Sequence, residues 1–182
     1  MSSKAAHGEI EFSRPLAIDK IPANGFEQTL EAKDKERLSL AERFGLIELP
    51  SLTAELKVHP AGLDQTVLVT GSLKADVIQQ CVVTLEPLPA HVESFIDVTF
   101  MPEAEIGGGA GPADADSEDI EVIVDGAIDL GELVAQQLGI ALDPYPRKPG
   151  AAYVEAEYGD TEVPKGPMAQ IAKLAKKPKD SG

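Results

Sequence analysis

The run VLVTGSLKADVIQQCVVTLEPLPAHVESFIDVTF, residues 67–100, decides the fold. Apolar side chains recur at every second position on both sides of a proline-containing centre, which is typical of strands that bury one face. Gly71 lies within the first half, where a bulge or a strong bend would fit. The run therefore predicts a long antiparallel hairpin that turns at EPLPA, residues 86–90. The predicted buried side chains are Val67, Val69, Leu73, Ala75, Val77, Cys81, Val83, Leu85, Val92, Ile96, Val98 and Phe100.

Cys81 is the only cysteine of the chain. A single cysteine excludes an intrachain disulfide and any multi-cysteine zinc site within one chain. A reactive thiol needs a neighbour that stabilises the thiolate, and His91, across the hairpin, is the only nearby candidate base. Because the surrounding strand pattern is apolar, we expect Cys81 to be part of the structural core, as buried cysteines often are. A role as a nucleophile stays open as the less favoured alternative.

Shorter patterns lie on the N-terminal side of this hairpin. Ile10 and Phe12 alternate with polar residues and predict a first strand. Residues 32–46 have helical periodicity and predict an amphipathic helix. Residues 52–59 alternate cleanly and predict a strand with one buried face. The apolar face of the helix would consist of Leu38, Ala41 and Phe44, and that of the strand of Leu52, Ala54, Leu56 and Val58.

A strand and a well-marked helix follow the hairpin. Residues 120–124 resume the alternating pattern. Asp129 is a good helix N-cap, with Glu132 three places later as its capping-box partner. Ile128 and Leu133 can form a hydrophobic staple around the cap. The helix, over residues 129–142, would bury the stripe Leu130, Leu133, Val134 and Leu138, of which we assign Leu130, Leu133 and Leu138 to the structural core.

The length of 182 residues and the lack of tryptophan predict one domain with an aliphatic core. We expect an α+β fold in which an antiparallel sheet, strongly curled or forming an open barrel, packs against two or three helices. Residues 1–8 are predicted to be disordered and residues 9–160 to form the single domain. Within it, residues 102–119 are predicted to be a flexible acidic loop. Residues 161–182 would be a linker and a short basic amphipathic segment.

The charge and the motifs exclude several classes of function. The formal net charge of −15 disfavours binding of nucleic acid or anionic membranes over the whole surface. No secretory signal and no apolar run long enough to span a membrane is present, so we expect a cytoplasmic protein. His7, His59 and His91 lack metal-ligand spacing, and residues 107–111 lack the frame of a phosphate loop. We therefore predict no catalytic residues, no metal, no cofactor and no small-molecule substrate.

Two basic segments stand out against this acidic background. Arg147 and Lys148 lie in a proline-stiffened loop after the capped helix. Lys173, Lys176 and Lys177 lie in the C-terminal segment. All five could dock phosphate or an acidic partner. The alternative is a solubilising tail, or a tail that folds back on the protein's own acids.

Three segments in this order carry a family resemblance. They are VTGSLKADVIQQCVVTLEPLPAHVESFIDVTF at 69–100, DGAIDLGELVAQQLGIALDPYPRKPGA at 125–151, and GPMAQIAKLAKK at 166–177. With them the chain resembles the YceD family, the large ribosomal RNA subunit accumulation proteins of bacteria and plastids, and is most similar to its alphaproteobacterial branch. The resemblance covers roughly residues 8–177.

The resemblance implies a cytoplasmic accessory factor needed for normal levels of 23S ribosomal RNA, with no catalytic residue to carry over. Many members have a Cys-x-x-Cys pair at the first motif, where this chain has Cys81 and Thr84. Many also have cysteines after the capped helix, where this chain has residues 143–151. These departures disfavour a metal or redox role here.

We therefore expect a non-enzymatic factor in large-subunit biogenesis that acts mainly through protein contacts. Its partner would be a ribosomal protein or an assembly factor, and ribosomal RNA would be contacted directly or indirectly. The alternatives are direct RNA binding through the basic C-terminal segment and, less favoured, a cysteine-dependent enzyme.

Overall fold

A computed structural model describes residues 10–62, 65–102 and 119–151. The predicted N-terminal tail and C-terminal segment lie outside these residues, as does the predicted acidic loop except for its two end residues, which belong to strands. In the described part, no helix is long and apolar enough to cross a membrane. The elements in chain order are β1 (Pro15–Ala17), a 3-10 helix (Ile18–Lys20), β2 (Phe26–Glu31), α1 (Asp34–Phe44), β3 (Glu48–Ala61), β4 (Thr66–Gln80), β5 (Pro87–Pro102), β6 (Asp119–Ile123), β7 (Ala127–Asp129) and α2 (Leu130–Ala141).

The main sheet has five strands in the order β2-β3-β4-β5-β6. Its neighbours are antiparallel except β5 and β6, which are parallel. A second, small sheet pairs β1 with β7. Helix α1 contacts β3, and α2 contacts β4 and β5. The α+β class is confirmed, whereas curling or barrel closure of the sheet stays a prediction.

The core lies on one face of the main sheet, as the alternating pattern predicted. Strands β3, β4 and β5 send every second side chain to this face because successive residues of a strand point to opposite sides. The predicted helix stripe of α2 is also buried there, at 1% exposure or less. The predicted strand residues that are buried are Leu52, Ala54, Leu56, Val58, Val67, Val69, Leu73, Ala75, Val77, Val92, Ile96, Val98 and Phe100.

Gly71 marks a close approach of two backbones rather than a bulge. Its pairing with Leu56 is in continuous register, and the irregularity between β3 and β4 lies instead between Glu48 and Ser51. A Cβ atom on Gly71 would collide with the backbone carbonyl oxygen of Glu55. The position requires glycine because a larger residue would push β3 away from β4.

The hairpin turns earlier than EPLPA. Strand β4 ends at Gln80, residues 81–86 form the turn, and Pro87 already belongs to β5. Leu85 was therefore wrongly assigned to the buried face: it is 65% exposed and has a φ of 60°. The alternation of inward and outward side chains ends with the strand at Gln80, so it does not predict which residues of the turn are buried.

The N-terminal third differs most from the prediction. Residues 10–14 form no strand, although Phe12 is buried. Strand β2 was not predicted, and it pairs with β3 along its whole length. In α1, Leu38 is 70% exposed while Leu40 and Ala41 are buried. The side of α1 that packs on β3 decides which of its apolar residues are buried. Helical periodicity alone does not show which side that is.

Asp129 caps α2 and also ties down the chain before β1. Its carboxylate accepts hydrogen bonds from the amides of Gly131 (2.9 Å) and Glu132 (3.1 Å), as expected of an N-cap. It also accepts from the Ser13 hydroxyl (2.6 Å) and the Arg14 amide (2.7 Å). The predicted return hydrogen bond of the capping box, from the Asp129 amide to the Glu132 side chain, was wrong. The Glu132 carboxylate instead binds the guanidinium of Arg43 on α1 at 2.8 Å.

Gly71→Ala should lower the free energy of unfolding by about 1–3 kcal/mol, because the new methyl group forces two paired backbones apart. Urea denaturation followed by circular dichroism measures the change. Ser72→Ala is the matched control on the adjacent, outward-facing position and should stay within about 0.5 kcal/mol of the parent. Equal midpoints for Gly71→Ala and the parent protein would contradict the role assigned to the close approach.

Candidate functional site

The turn between β4 and β5 meets the loop that follows α2. We call this place the turn–loop junction, formed by residues 81–86 and 142–150. The turn is closed by two backbone hydrogen bonds, from the Cys81 amide to the Glu86 carbonyl and from the Leu85 amide to the Cys81 carbonyl, both 2.9 Å. Helix α2 ends at Ala141. The backbone of its C-cap, Leu142, is extended, and the prolines that follow keep the loop from continuing the helix.

Four hydrogen bonds hold the loop against the turn and the end of β4. The Val82 amide donates to the Pro146 carbonyl at 2.9 Å. The side-chain amide of Gln79 donates to the Asp143 carbonyl at 2.9 Å. Lys148 contributes twice, with its ammonium 2.9 Å from a carboxylate oxygen of Glu86 and its amide 3.4 Å from the sulfur of Cys81. The loop therefore has a defined position on the turn, although it carries no regular secondary structure.

The sulfur of Cys81 lies inside this junction and is fully shielded from solvent. The Thr84 hydroxyl, the Lys148 amide, and the amides of Thr84 and Val83 lower the pKa of the thiol, whereas burial raises it. The pKa falls from its usual value of 9.0 to about 6. N–H and O–H donors favour the thiolate because they stabilise its negative charge. The structure thus combines an acidic thiol with a shielded position.

Cys81 has no acid–base partner at His91. The register of β4 and β5 places His91 opposite Asp76, five residues before Cys81 and about 16 Å along the strand. There the imidazole lies 2.8 Å from the Asp76 carboxylate, and Asp76 and Glu93 raise the pKa of His91. The approach of His91 to Cys81 that the hairpin allowed in principle does not occur. Nowhere in residues 10–62, 65–102 and 119–151 do three His, Cys, Asp or Glu side chains gather as metal ligands would.

Thr84 and Lys148 are brought to the same sulfur although 64 residues separate them in sequence. Thr84 stands where the resemblance implies a second cysteine, and Lys148 lies in the segment where it implies further cysteines. Hydrogen-bond donors replace such side chains here, with the Thr84 amide 3.5 Å and the Lys148 amide 3.4 Å from the sulfur. The Cys81 sulfur thus links two loops through hydrogen bonds.

The outer side of the junction exposes apolar, aromatic and basic groups together. Val82 is 46%, Leu85 65% and Tyr145 69% exposed. Arg147 is exposed and forms no ion pair with any described residue. We call these four residues the junction surface. Aromatic residues and arginine are enriched at protein interfaces, whereas lysine and glutamate are depleted there.

The predicted site residues thus have different positions. Arg147 belongs to the junction surface, whereas the ammonium of Lys148, which is also exposed, pairs with Glu86. Lys173, Lys176 and Lys177 lie outside the described residues, so their role stays a prediction. The core assignment of three leucines is confirmed, because these side chains of α2 are buried: Leu130, Leu133 and Leu138. Tyr145 was not predicted as a site residue, because its only signal in the sequence is an aromatic side chain within a proline-rich loop.

Thr84→Val should raise the pKa of the Cys81 thiol above about 6, because it removes the hydroxyl that contributes most to the low value. Thiolate ultraviolet absorbance against pH measures this directly, since the chain has one cysteine. Thr53→Val on β3 is the matched control and should leave the titration unchanged. A parent thiol that titrates near 9 would refute the hydrogen-bonded thiolate.

The same thiol makes stability depend on pH. Between about pH 6 and pH 9 the unfolded chain keeps a proton that the folded thiolate has lost, so the contribution of Cys81 to the free energy of unfolding rises with pH. It is fully present above pH 9 and lost as the pH falls through 6. The difference in urea midpoint between the parent protein and Cys81→Ser should therefore grow across this window. A constant difference would contradict the linkage.

Comparison with known proteins identifies the family of this chain. A model of the family described as large ribosomal RNA subunit accumulation protein YceD matches residues 69–175, which include most of β4 and all of β5, the junction and α2. No curated protein and no solved structure matches the chain. The family match covers more than half of the chain. The chain therefore belongs to the YceD family, whose role is in the accumulation of large-subunit ribosomal RNA.

Proposed function

We propose that this protein supports 23S ribosomal RNA synthesis, processing or accumulation as a non-enzymatic factor that binds other proteins of large-subunit biogenesis. The proposed place of action is the cytoplasm. The observation that carries the proposal is the junction surface, which presents Leu85, Tyr145 and Arg147 from two loops fixed on each other by hydrogen bonds. A preorganised surface loses little conformational entropy on binding, which favours specific association.

The position of Cys81 supports contact rather than bond-making. A nucleophilic thiolate must reach its substrate, whereas this sulfur has no solvent exposure and its donors already occupy it. Proton transfer would also need a base within hydrogen-bond reach, and His91 lies far along β5. The Cys81 sulfur instead accepts a hydrogen bond from the Lys148 amide and thereby holds the loop that carries Tyr145 and Arg147.

The overall charge supports a basic protein as the partner. A net charge of −15 attracts basic ribosomal proteins or assembly factors over a distance and raises their rate of association. It repels the phosphate backbone of RNA unless a local basic patch overcomes the repulsion. Among the described residues the junction surface offers one such group, Arg147, so we favour protein contact as the primary activity.

Depletion of the protein should lower 23S relative to 16S ribosomal RNA, measured by quantitative RNA electrophoresis. The parent gene should restore the ratio, whereas Tyr145→Ala combined with Arg147→Glu should restore it poorly because the central contacts of the junction surface are lost. Leu38→Ala combined with Lys35→Glu, on the exposed side of α1, is the matched control and should restore it fully.

Two results would contradict the proposal at different levels. An unchanged 23S to 16S ratio after depletion would remove the proposed function. Full restoration by the Tyr145 and Arg147 variant, present at parental level on an immunoblot, would remove the junction surface from it. Partners retained after ribonuclease treatment of a native lysate, and lost with the variant, would support direct protein contact.

Direct RNA binding is the second candidate, since Arg147 has no ion pair with a described residue and Lys173, Lys176 and Lys177 lie in a basic segment. It requires a salt-sensitive gel shift with ribosomal RNA that disappears on removal of residues 165–182. If the intact protein produces no shift, this candidate is excluded.

A further inference from the structure

The outer face of the main sheet is uncovered in the described part of the chain. Both helices contact strands whose inward side chains are buried, and the opposite side chains of β2 to β5 are exposed or half-buried. Strand register arranges these outward side chains in rows that run across the sheet. The three central rows are Glu31, Thr53, Lys74, Glu93; Thr29, Glu55, Ser72, Phe95; and Glu27, Lys57, Thr70, Asp97.

Phe95 is the most prominent feature of this face. It is 88% exposed, more than any other large hydrophobic side chain in the described residues. Its partner on β4 is the much smaller Ser72, so no large side chain covers the ring from that strand. Beside it lies an open groove of about 520 Å³, whose lining includes Thr29, Glu55 and Lys57. The ring thus forms one wall of a groove across the strands.

The charges around Phe95 are mostly negative. Lys57 is paired with Glu27 at 2.9 Å and Lys74 with Glu93 at 3.4 Å, so both lysines of the three rows are already neutralised. The carboxylates of Glu55, in the same row as Phe95, and of Asp97, two residues along β5, have no ion pair with a described residue. A cationic ligand is therefore attracted to this groove and an RNA backbone is repelled.

An aromatic ring beside carboxylates that have no ion pair among the described residues fits one side chain best. The planar guanidinium of arginine stacks on a ring face and at the same time donates paired hydrogen bonds to a carboxylate. The ammonium of lysine is a more strongly hydrated point charge and cannot form the paired hydrogen bonds. The groove therefore discriminates between two cations of equal charge.

We propose that the outer face of β2 to β5 binds an extended, arginine-containing segment of a partner protein, with a guanidinium over Phe95 and contacts to Glu55 and Asp97. This proposal rests on the proposed function and adds to it that the partner protein carries an extended, arginine-containing segment. A protein destined for ribosomal RNA carries such segments because it must neutralise phosphates. Bound to this face, the segment is shielded from RNA until the protein is released.

The chain's own C-terminal segment is a poorer occupant. Residues 152–182 contain lysines but no arginine, so they lack the group that the groove selects. A second copy of the chain is also disfavoured, because the two faces would bring acidic rows together. The observations therefore favour a foreign basic segment.

Fluorescence anisotropy of the full chain with a labelled oligo-arginine peptide tests the proposal, with an oligo-lysine peptide of equal length and charge alongside. The arginine peptide should bind more tightly. Phe95→Ala should weaken its binding by about three- to tenfold and change lysine-peptide binding little. Glu55→Lys combined with Asp97→Lys should weaken both peptides. Leu38→Ala and Glu42→Lys on α1 are the matched controls and should bind as the parent does.

Amide chemical-shift mapping locates the peptide without relying on any variant. The shifts should concentrate on the outward residues of β3, β4 and β5. Shifts confined to the junction surface, equal binding of the two peptides, or unchanged binding by a folded Phe95→Ala would each overturn the proposal. So would tighter binding of a single-stranded RNA oligonucleotide than of the arginine peptide. A dimer on sedimentation that Phe95→Ala abolishes would assign the face to a second copy instead.

The two proposals can fail separately. If Phe95→Ala loses the peptide but depletion leaves the 23S to 16S ratio unchanged, the binding face stands and the proposed function falls. If depletion lowers the ratio and Phe95→Ala restores it fully, the function stands and this face is excluded from it. Shifts of the C-terminal amides on Phe95→Ala substitution without peptide would show that the tail occupies the groove and would overturn the proposal.

Discussion

The structure depends on the uninterrupted pairing of β4 with β5, which runs from Val67 opposite Phe100 to Gln80 opposite Pro87. An extended chain points successive side chains to opposite sides, so this ladder separates an apolar face from a polar one along its whole length. A slip by one residue would exchange the two faces. The hydrophobic gain on the inner face therefore fixes the register, and the register fixes everything displayed on the outer face.

Three parts of the molecule follow from this one ladder. Its inner face receives α2 and contributes to the core, which continues onto β3, where α1 packs. Its outer face sets Phe95 among carboxylates. Its closed end carries the turn at Cys81, to which the loop after α2 is tied. The two surfaces that we connect with function are thus both attached to this ladder.

Cys81 combines a lowered thiol pKa, which is typical of reactive cysteines, with a sulfur that solvent does not reach. Donors from two loops stabilise the thiolate, and the same donors enclose it. The interaction links residues 67 positions apart in sequence. In this family member the Cys81 sulfur therefore connects two loops by accepting hydrogen bonds from the Thr84 and Lys148 amides.

The sequence by itself determined the features that depend on local geometry. Alternation identified the buried residues of β3, β4 and β5, and a short-range capping pattern identified Asp129 as the start of α2. These succeed because the period of a strand and the unpaired amides of a helix end are properties of neighbouring residues. Only the tertiary structure decided the rest: that Leu38 is exposed, that Phe95 stands beside a groove, and that Lys148 meets Cys81. Each of these depends on which distant segment packs opposite, and neither periodicity nor spacing along one segment records that choice.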